Sequence, residues 1–206
     1  MTFPTLVLAS TSPRRKEVLA RLGLPFETVA PLFYEAAVDG RSARNEAIHF
    51  AEAKARSLCN QFPRHIIIGG DTLIDCNGEK IGKPRDTDDA RRILRRLSGR
   101  THTVWTAIAI IDTIRQKTVV TVKGAEVTMK PVDDIEIIRY VATGEPLDKA
   151  GAYAIQGGAA SWIEKCEGDL LAVIGLPLAP IRAYLKQQGL FDGTVSSARG
   201  DTEPLP

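Results

Sequence analysis

Apolar positions follow two spacings along the first third of the chain, and each spacing predicts one kind of element. Compact apolar runs at residues 5–9, 27–30 and 65–74 predict strands. Spacings of three and four residues within 13–22 and 42–58 predict helices with one apolar face. Strands and helices therefore alternate here, which is typical of an α/β protein.

Hairpins interrupt this alternation in the middle of the chain. Asn77-Gly78 is a strong two-residue turn signal, so residues 79–82 should pair back on the preceding strand. Two long β segments, at residues 104–111 and 118–129, follow closely enough to be antiparallel neighbours. We therefore predict a mixed, partly antiparallel sheet flanked by helices.

Helical spacing returns in the second half of the chain. We predict helices after Thr87, which would act as the N-cap, and over residues 132–142 and 178–188. Residues 1–190 then form one domain. Residues 191–206 are rich in Gly, Ser, Asp and Pro and poor in large apolar residues, which predicts a disordered tail.

Composition narrows the class of protein without assigning a function. The chain has 206 residues with 44% hydrophobic and 25% charged residues, as in an ordinary globular protein. Its net charge of +2 and the lack of a basic stripe with aromatic residues argue against nucleic-acid binding. No apolar run is long enough for a membrane span, and three cysteines without a CxxC pair indicate reduced thiols. We expect a cytoplasmic protein.

The segment from Ser10 to Lys16 reads STSPRRK and joins the first strand to the first helix. A helix N-terminus binds anions, yet here it carries three cations, each unfavourable by about 0.3–1 kcal/mol against the helix dipole. An anionic ligand would remove that conflict. A capped helix with solvated surface arginines is the alternative, and both remain open at this point.

Gly69-Gly70-Asp71-Thr72 interrupts an apolar strand. Two glycines in a strand often mark a close approach of backbone or ligand, and a buried carboxylate needs a partner such as a metal, a lysine or a reacting water. A strand-end aspartate bonded to a turn is the simpler alternative. A haloacid-dehalogenase phosphatase would carry a second Asp two residues on, where this chain has Leu73, and Asp75 is too far along the strand to share a metal.

Two lysines are candidates for binding phosphate. Lys54 occupies the apolar stripe of its helix, where it could extend to solvent or place an ammonium in a pocket. Lys83 lies on a stiff Lys-Pro segment just after the hairpin. Together with Arg14 and Arg15 they would suit a triphosphate, because charge-assisted contacts to phosphate are strong.

Two loop residues complete the candidate set. Glu35 follows the second predicted strand, where most glutamates are simply solvated. Gln156 lies in a segment of small residues and has an amide that can read the edge of a nucleobase, although a flexible connector with an incidental Gln fits the same pattern.

In combination, these segments resemble the Maf family of nucleotide pyrophosphatases from about Leu6 to Gly189. The resemblance is carried, in order, by LASTSPRR, EAKA, GGDT, GEKIGKP, LSGRTHTVWT, EPLDKAGAYAIQG and VIGLPL. It implies an elongated, two-lobed Maf/ITPase-like fold with a central cleft and hydrolysis at the α-phosphorus. It also implies a nucleoside triphosphate substrate, a divalent cation (Mg²⁺ or Mn²⁺) and a homodimer.

The resemblance also implies a role for each candidate residue. Asp71 would be the general base, and Glu35 with Asp71 would hold the metal. Phosphate would be bound by Ser10, Arg14, Arg15, Lys54 and Lys83. Arg14, Thr72 and Gln156 would choose the base, and this combination is similar to the members that hydrolyse dTTP and UTP rather than 7-methyl-GTP. One departure is Tyr34, where an acidic residue commonly precedes the Glu.

A second class of function is a regulatory binding protein. Names in the Maf family are tied to inhibition of septum formation, and such a role could rest on binding a nucleotide or a partner without catalysis. Release of pyrophosphate from a nucleotide distinguishes the two.

Overall fold

A computed structural model describes residues 5–36 and 40–191, and the predicted tail from residue 192 onward lies outside this described part. Its strands are Leu6–Ala9 (β1), Phe26–Val29 (β2), Ile66–Cys76 (β3), Glu79–Ile81 (β4), Thr101–Asp112 (β5), Lys117–Met129 (β6) and Ile163–Gly168 (β7). Its α-helices are Pro13–Ala20 (α1), Ala43–Arg56 (α2), Thr87–Leu97 (α3), Asp134–Ala142 (α4), Leu170–Ile174 (α5) and Leu178–Gln187 (α6). Short 3₁₀ turns occupy Glu145–Asp148, Ala150–Ala152 and Ala160–Trp162.

The strands form one sheet in the order β2-β1-β3-β5-β6-β7, with β4 paired to β3. β1 is parallel to β2 and β3, whereas the other pairs are antiparallel. The β3–β4 hairpin turns at Asn77 and Gly78, whose φ angles of 54° and 81° match the left-handed backbone that the sequence favours there. The mixed, partly antiparallel sheet flanked by helices is therefore confirmed.

The two faces of the sheet bury different side chains because residues along a strand alternate between faces. On one face, small residues of α2 such as Ala47, Ala51 and Ala55 pack with Val7 and Ile67. The other face carries the larger cluster, to which α1, α3, α4 and α6 contribute. No helix in the described part is long and apolar enough to cross a bilayer.

The structure differs from the sequence-based expectation at the N-cap of α3, at β7 and at α5, a short helix that was not predicted. The N-cap of α3 is Asp86, whose side chain accepts from the amide of Asp89 at 2.7 Å, so the prediction of Thr87 was wrong by one position. Asp is the stronger N-cap, and Thr87 is already the first helical residue. β7 was not predicted because its sequence, IEKCEG, has one buried residue, Ile163, and thus no apolar signal.

Candidate active site

A cavity of about 510 Å³ opens beside the middle of β3. It is lined by eight of the nine predicted site residues: Arg14, Arg15, Glu35, Lys54, Asp71, Thr72, Lys83 and Gln156. These residues come from α1, α2, β3 and the loops that follow β2, β4 and α4, so folding brings together positions that are far apart in the chain. Ser10, the ninth, is buried and is not part of the cavity lining.

In the lining of the cavity, a lysine lies between two carboxylates. The Nζ atom of Lys54 lies 2.6 Å from Oδ1 of Asp71 and 2.5 Å from Oε1 of Glu35. The side chains of Lys54 and Asp71 are 7% and 6% exposed, whereas that of Glu35 is 47% exposed. Lys54 therefore does not extend to solvent, and its ammonium partly neutralises a carboxylate that would otherwise be costly to bury.

Asp71 has the properties of a proton acceptor. Burial raises its pKa above the usual value, and the nearby charges of Lys54 and Arg15 act against that rise without cancelling it. Its second oxygen, Oδ2, is buried and has no hydrogen-bond partner in the described part of the chain. A water or a cation is the kind of partner that a buried carboxylate oxygen in a polar cavity requires.

Glu35 differs from Asp71 in its protonation. Partial burial opposes its ionisation, but the charge of Lys54 and its hydrogen bond outweigh burial, so the pKa of Glu35 lies below its usual value. Glu35 is therefore ionised at neutral pH.

The two glycines before Asp71 each make room for a different neighbour. A Cβ atom on Gly69 would lie 2.2 Å from the carbonyl oxygen of Ala51, so only glycine lets α2 approach β3 at this distance. A Cβ atom on Gly70 would instead lie 3.2 Å from Nε of Arg15. Because successive residues face opposite sides of the strand, Asp71 is directed to α2, as Gly69 is, and Thr72 to the face of Arg15.

The segment before α1 forms the turn that the sequence predicts. Ser12 is the N-cap, and Pro13 is the first residue of the helix. The hydroxyl of Ser10 accepts from the amide of Ser12 at 3.1 Å and from Nη1 of Arg15 at 3.5 Å. Ser10 thus supports the turn and Arg15, and its predicted contact with phosphate stays a prediction.

Arg15 is fixed by several acceptors. Its Nε donates to the carbonyl of Gly175 at 2.9 Å, and its Nη2 donates to the hydroxyl of Thr72 at 3.1 Å. Burial lowers the pKa of Arg15 from its usual value, although guanidinium remains charged at any physiological pH. The alternative of a solvated surface arginine does not apply to this side chain.

Arg14 and Lys83 are two further cations in the lining of the cavity. Nη1 of Arg14 lies 3.7 Å from Oδ1 of Asp148, and its Nη2 donates to the backbone carbonyl of Asp148 at 3.5 Å. The pKa of Lys83 is lowered by partial burial and then by the positive charge of Arg15. Gln156, an exposed residue, also lines the cavity.

Glu35 and Asp71 are the residues of this site that could hold a divalent cation. The described residues contain no group of three or more His, Cys, Asp or Glu placed to hold a metal. The ligands that these two residues offer are all carboxylate oxygens, from Glu35 and from Oδ2 of Asp71, which has no hydrogen-bond partner among the described residues. Mg²⁺ typically uses one or two carboxylates, with waters and substrate phosphates as the remaining ligands.

Three supporting residues were not predicted as site residues. Thr106 contacts Thr72, Asp148 contacts Arg14, and Glu145 organises the loop that carries Gln156. The carboxylate of Glu145 accepts from the amide of Gly158 at 3.2 Å and from the hydroxyl of Tyr140 at 3.0 Å. All three lie in the Maf-like motifs of the sequence, but nothing in those motifs indicates which residues they contact.

Comparison with known proteins finds one matching family and relatives that share one name. A family model described as "Maf-like protein" matches residues 5–188. The chain is similar to a dTTP/UTP pyrophosphatase of Dictyoglomus turgidum, with 42% identity over 188 residues, covering 89% of this chain and 96% of that protein. It is also similar to the dTTP/UTP pyrophosphatase of Citrifermentans bemidjiense, with 44% identity covering 92% of this chain and 98% of that protein. The dTTP/UTP pyrophosphatase of Moorella thermoacetica is 46% identical, covering 87% of this chain and 93% of that protein.

Proposed function

The chain belongs to the Maf family, and we propose that it hydrolyses dTTP and UTP to the nucleoside monophosphate and pyrophosphate. Relatives that it matches over about nine-tenths of its length bear the name dTTP/UTP pyrophosphatase. The observation that carries the proposal is a buried carboxylate, Asp71, one oxygen of which has no hydrogen-bond partner among the described residues, in a cavity also lined by Arg14, Arg15, Lys54 and Lys83.

In this proposal Oδ2 of Asp71 takes a proton from a water molecule as the water oxygen attacks the α-phosphorus. The new P–O bond forms as the bond from the α-phosphorus to the bridging oxygen breaks, and pyrophosphate leaves with the electron pair of that bond. A carboxylate with a raised pKa suits proton transfer near neutral pH better than an ordinary surface aspartate does. Lys54 holds the carboxylate in place through Oδ1, so Oδ2 is the oxygen that would meet the water and the cation.

The cationic side chains stabilise the charge on the phosphates. Arg15, Arg14, Lys54 and Lys83 line the cavity, and fixed cations there favour the charge that develops on the leaving pyrophosphate. Arg14, Thr72 and Gln156 are proposed to determine the choice of base, since this combination is similar to the branch that acts on dTTP and UTP.

We include a divalent cation, Mg²⁺ or Mn²⁺, held by Glu35 and Asp71, in the same proposal. Such a cation would neutralise phosphate charge and lower the pKa of a bound water. A cytoplasmic location and a homodimer are further parts of the proposal. Cys59, Cys76 and Cys166 are free, which is consistent with a reducing compartment.

A screen of nucleoside triphosphates with Mg²⁺ or Mn²⁺ tests the function. Phosphate should become detectable with malachite green only after an added pyrophosphatase, and chromatography should show the monophosphate rather than the diphosphate as the other product. dTTP and UTP should be the preferred substrates. A preference for 7-methyl-GTP would contradict the substrate, and protein that binds dTTP without releasing pyrophosphate would favour the regulatory binding protein.

A further inference from the structure

A pair of threonine hydroxyls connects the cavity to the interior of the sheet. Thr72 on β3 and Thr106 on β5 are directly opposite each other in the antiparallel register, so their side chains share one face of the sheet. Their hydroxyl oxygens lie 2.8 Å apart. Thr106 is fully buried, and no part of the catalytic proposal above uses it.

The direction of each hydrogen bond follows from the available hydrogens. The hydroxyl of Thr106 lies 2.6 Å from the carbonyl oxygen of Ala172, which can only accept, so Thr106 donates its single hydrogen there. Thr72 must then donate to Thr106. Because its hydrogen is committed, Thr72 has only lone-pair density to offer to Nη2 of Arg15. The result is a directed series, Arg15 to Thr72 to Thr106 to Ala172.

Both acceptors that terminate this network belong to the end of one short helix. Ala172 lies in α5, and Gly175 is the C-cap of the same helix, with a φ of 114°. Carbonyls in the last turn of a helix lack partners within the helix and carry the negative end of its dipole. Arg15 therefore reaches α5 directly through Gly175 and indirectly through the two threonines.

We infer that Thr106, acting through Thr72, is a positioning residue that orients the guanidinium of Arg15 toward the phosphates of the substrate. The inference rests on the proposed function, in which Arg15 contacts the phosphate chain. With Nε held by Gly175, Nη2 by Thr72 and Nη1 by Ser10, the plane of the guanidinium is set within the lining of the cavity. It follows that Thr72 supports Arg15 in addition to its proposed part in the choice of base, and that it can contact a nucleobase only as an acceptor, because it has no hydrogen left to donate.

The test compares three substitutions on one strand. Thr106→Val keeps the shape of the side chain but removes the hydroxyl, Thr106→Ser retains the hydroxyl, and Thr103→Val is the matched control elsewhere on β5. We expect Thr106→Val to weaken pyrophosphate binding, measured by calorimetry, and to lower kcat/KM for dTTP by roughly 10- to 100-fold, as expected for a displaced contact. Thr106→Ser should restore most of both losses, and Thr103→Val should leave both unchanged.

A double-mutant cycle separates positioning from a general structural effect. If Thr106 acts through Arg15, adding Thr106→Val to Arg15→Ala should cause little further loss in kcat/KM. Additive losses, or a Thr106→Ser variant as impaired as Thr106→Val, would overturn the inference. Should thermal melting show that Thr106→Val does not fold, Thr72→Val and Thr72→Ser provide the same comparison at a partly exposed position.

The binding measurement keeps the two proposals distinguishable. If the wild-type protein releases no pyrophosphate from any triphosphate, the proposed function fails. Pyrophosphate affinity that depends on the Thr106 hydroxyl would still support the positioning role, and affinity that does not depend on it would refute that role.

Discussion

At the scale of single residues, the properties of the site depend on Lys54, which contacts two carboxylates at once. Lys54 lies within 2.6 Å of both Asp71 and Glu35, and the two carboxylates respond differently because they are buried to different extents. For Asp71 burial prevails and the pKa rises, whereas for Glu35 the lysine prevails and the pKa falls. One carboxylate is thereby suited to accepting a proton and the other to remaining charged.

Asp71→Asn tests the general base. The amide cannot take a proton from water, so we expect kcat for dTTP to fall by roughly 10²- to 10⁴-fold while nucleotide binding persists. Asp75→Asn is the matched control on the same strand, because Asp75 accepts from the amide of Gly78 in the hairpin turn and Asn can do the same. Near-normal turnover by Asp71→Asn, with divalent metal present, would refute the assignment.

Lys54→Met tests the electrostatic coupling through pH dependence. Asp71 must be ionised to act as a base, so kcat/KM should decline as pH falls through its pKa. Removing the positive charge that lowers this pKa should move the acid limb of the profile to higher pH. Lys165→Met on β7 removes an equal but exposed charge and should leave the limb in place. An acid limb that stays unchanged in Lys54→Met would show that Lys54 does not control Asp71.

At the scale of secondary-structure elements, the contact between α2 and β3 creates the site. Gly69 permits the backbone of α2 to approach β3, which places Lys54 next to Asp71. The sequence indicated a close approach at the two glycines but left its partner open between backbone and ligand. The structure identifies α2 as the partner of Gly69 and Arg15 as the neighbour of Gly70.

Gly69→Ala tests this contact. The new methyl group would overlap the Ala51 carbonyl, so we expect the free energy of unfolding to fall by about 1–3 kcal/mol, with a loss of activity as α2 and Lys54 move away. Gly70→Ala should cost less stability, because its Cβ would lie 3.2 Å from Nε of Arg15, a much smaller overlap than the 2.2 Å approach at Gly69. Urea denaturation of both variants measures the difference, and equal losses would argue against the α2 contact.

At the scale of the whole molecule, the cavity brings together segments that are far apart in the chain. Arg14, in the first turn of α1, meets Asp148 from the segment that leads to Gln156, although they are 134 residues apart in sequence. Arg14 and Gln156 are both proposed to influence the choice of base, and the contact with Asp148 joins Arg14 to the segment that leads to Gln156. Asp148 itself is half-exposed, so the contact contributes to geometry more than to stability.

Asp148→Asn tests this connection. Loss of the charge should leave Arg14 less well oriented and lower the ratio of kcat/KM for dTTP over GTP by up to roughly fivefold, since an exposed pair is worth at most about 1 kcal/mol. The free energy of unfolding should change by less than about 1 kcal/mol for the same reason. Asp88→Asn, which removes the exposed partner of Arg91, is the control for charge. An unchanged ratio in Asp148→Asn would mean that Asp148 does not orient Arg14.

Local patterns were sufficient for much of the fold and for the identity of most candidate residues. The alternating spacings, the Asn77-Gly78 turn and the capped turn before α1 depend on neighbouring residues, so they can be read from the chain, as can the Maf-like motifs. Long-range pairing is different. The position of Lys54 between two carboxylates, the opposition of Thr72 and Thr106, and the attachment of Arg15 to α5 depend on strand register and helix packing. Such contacts join residues that are distant in sequence, and only the packed molecule brings their atoms within hydrogen-bonding distance.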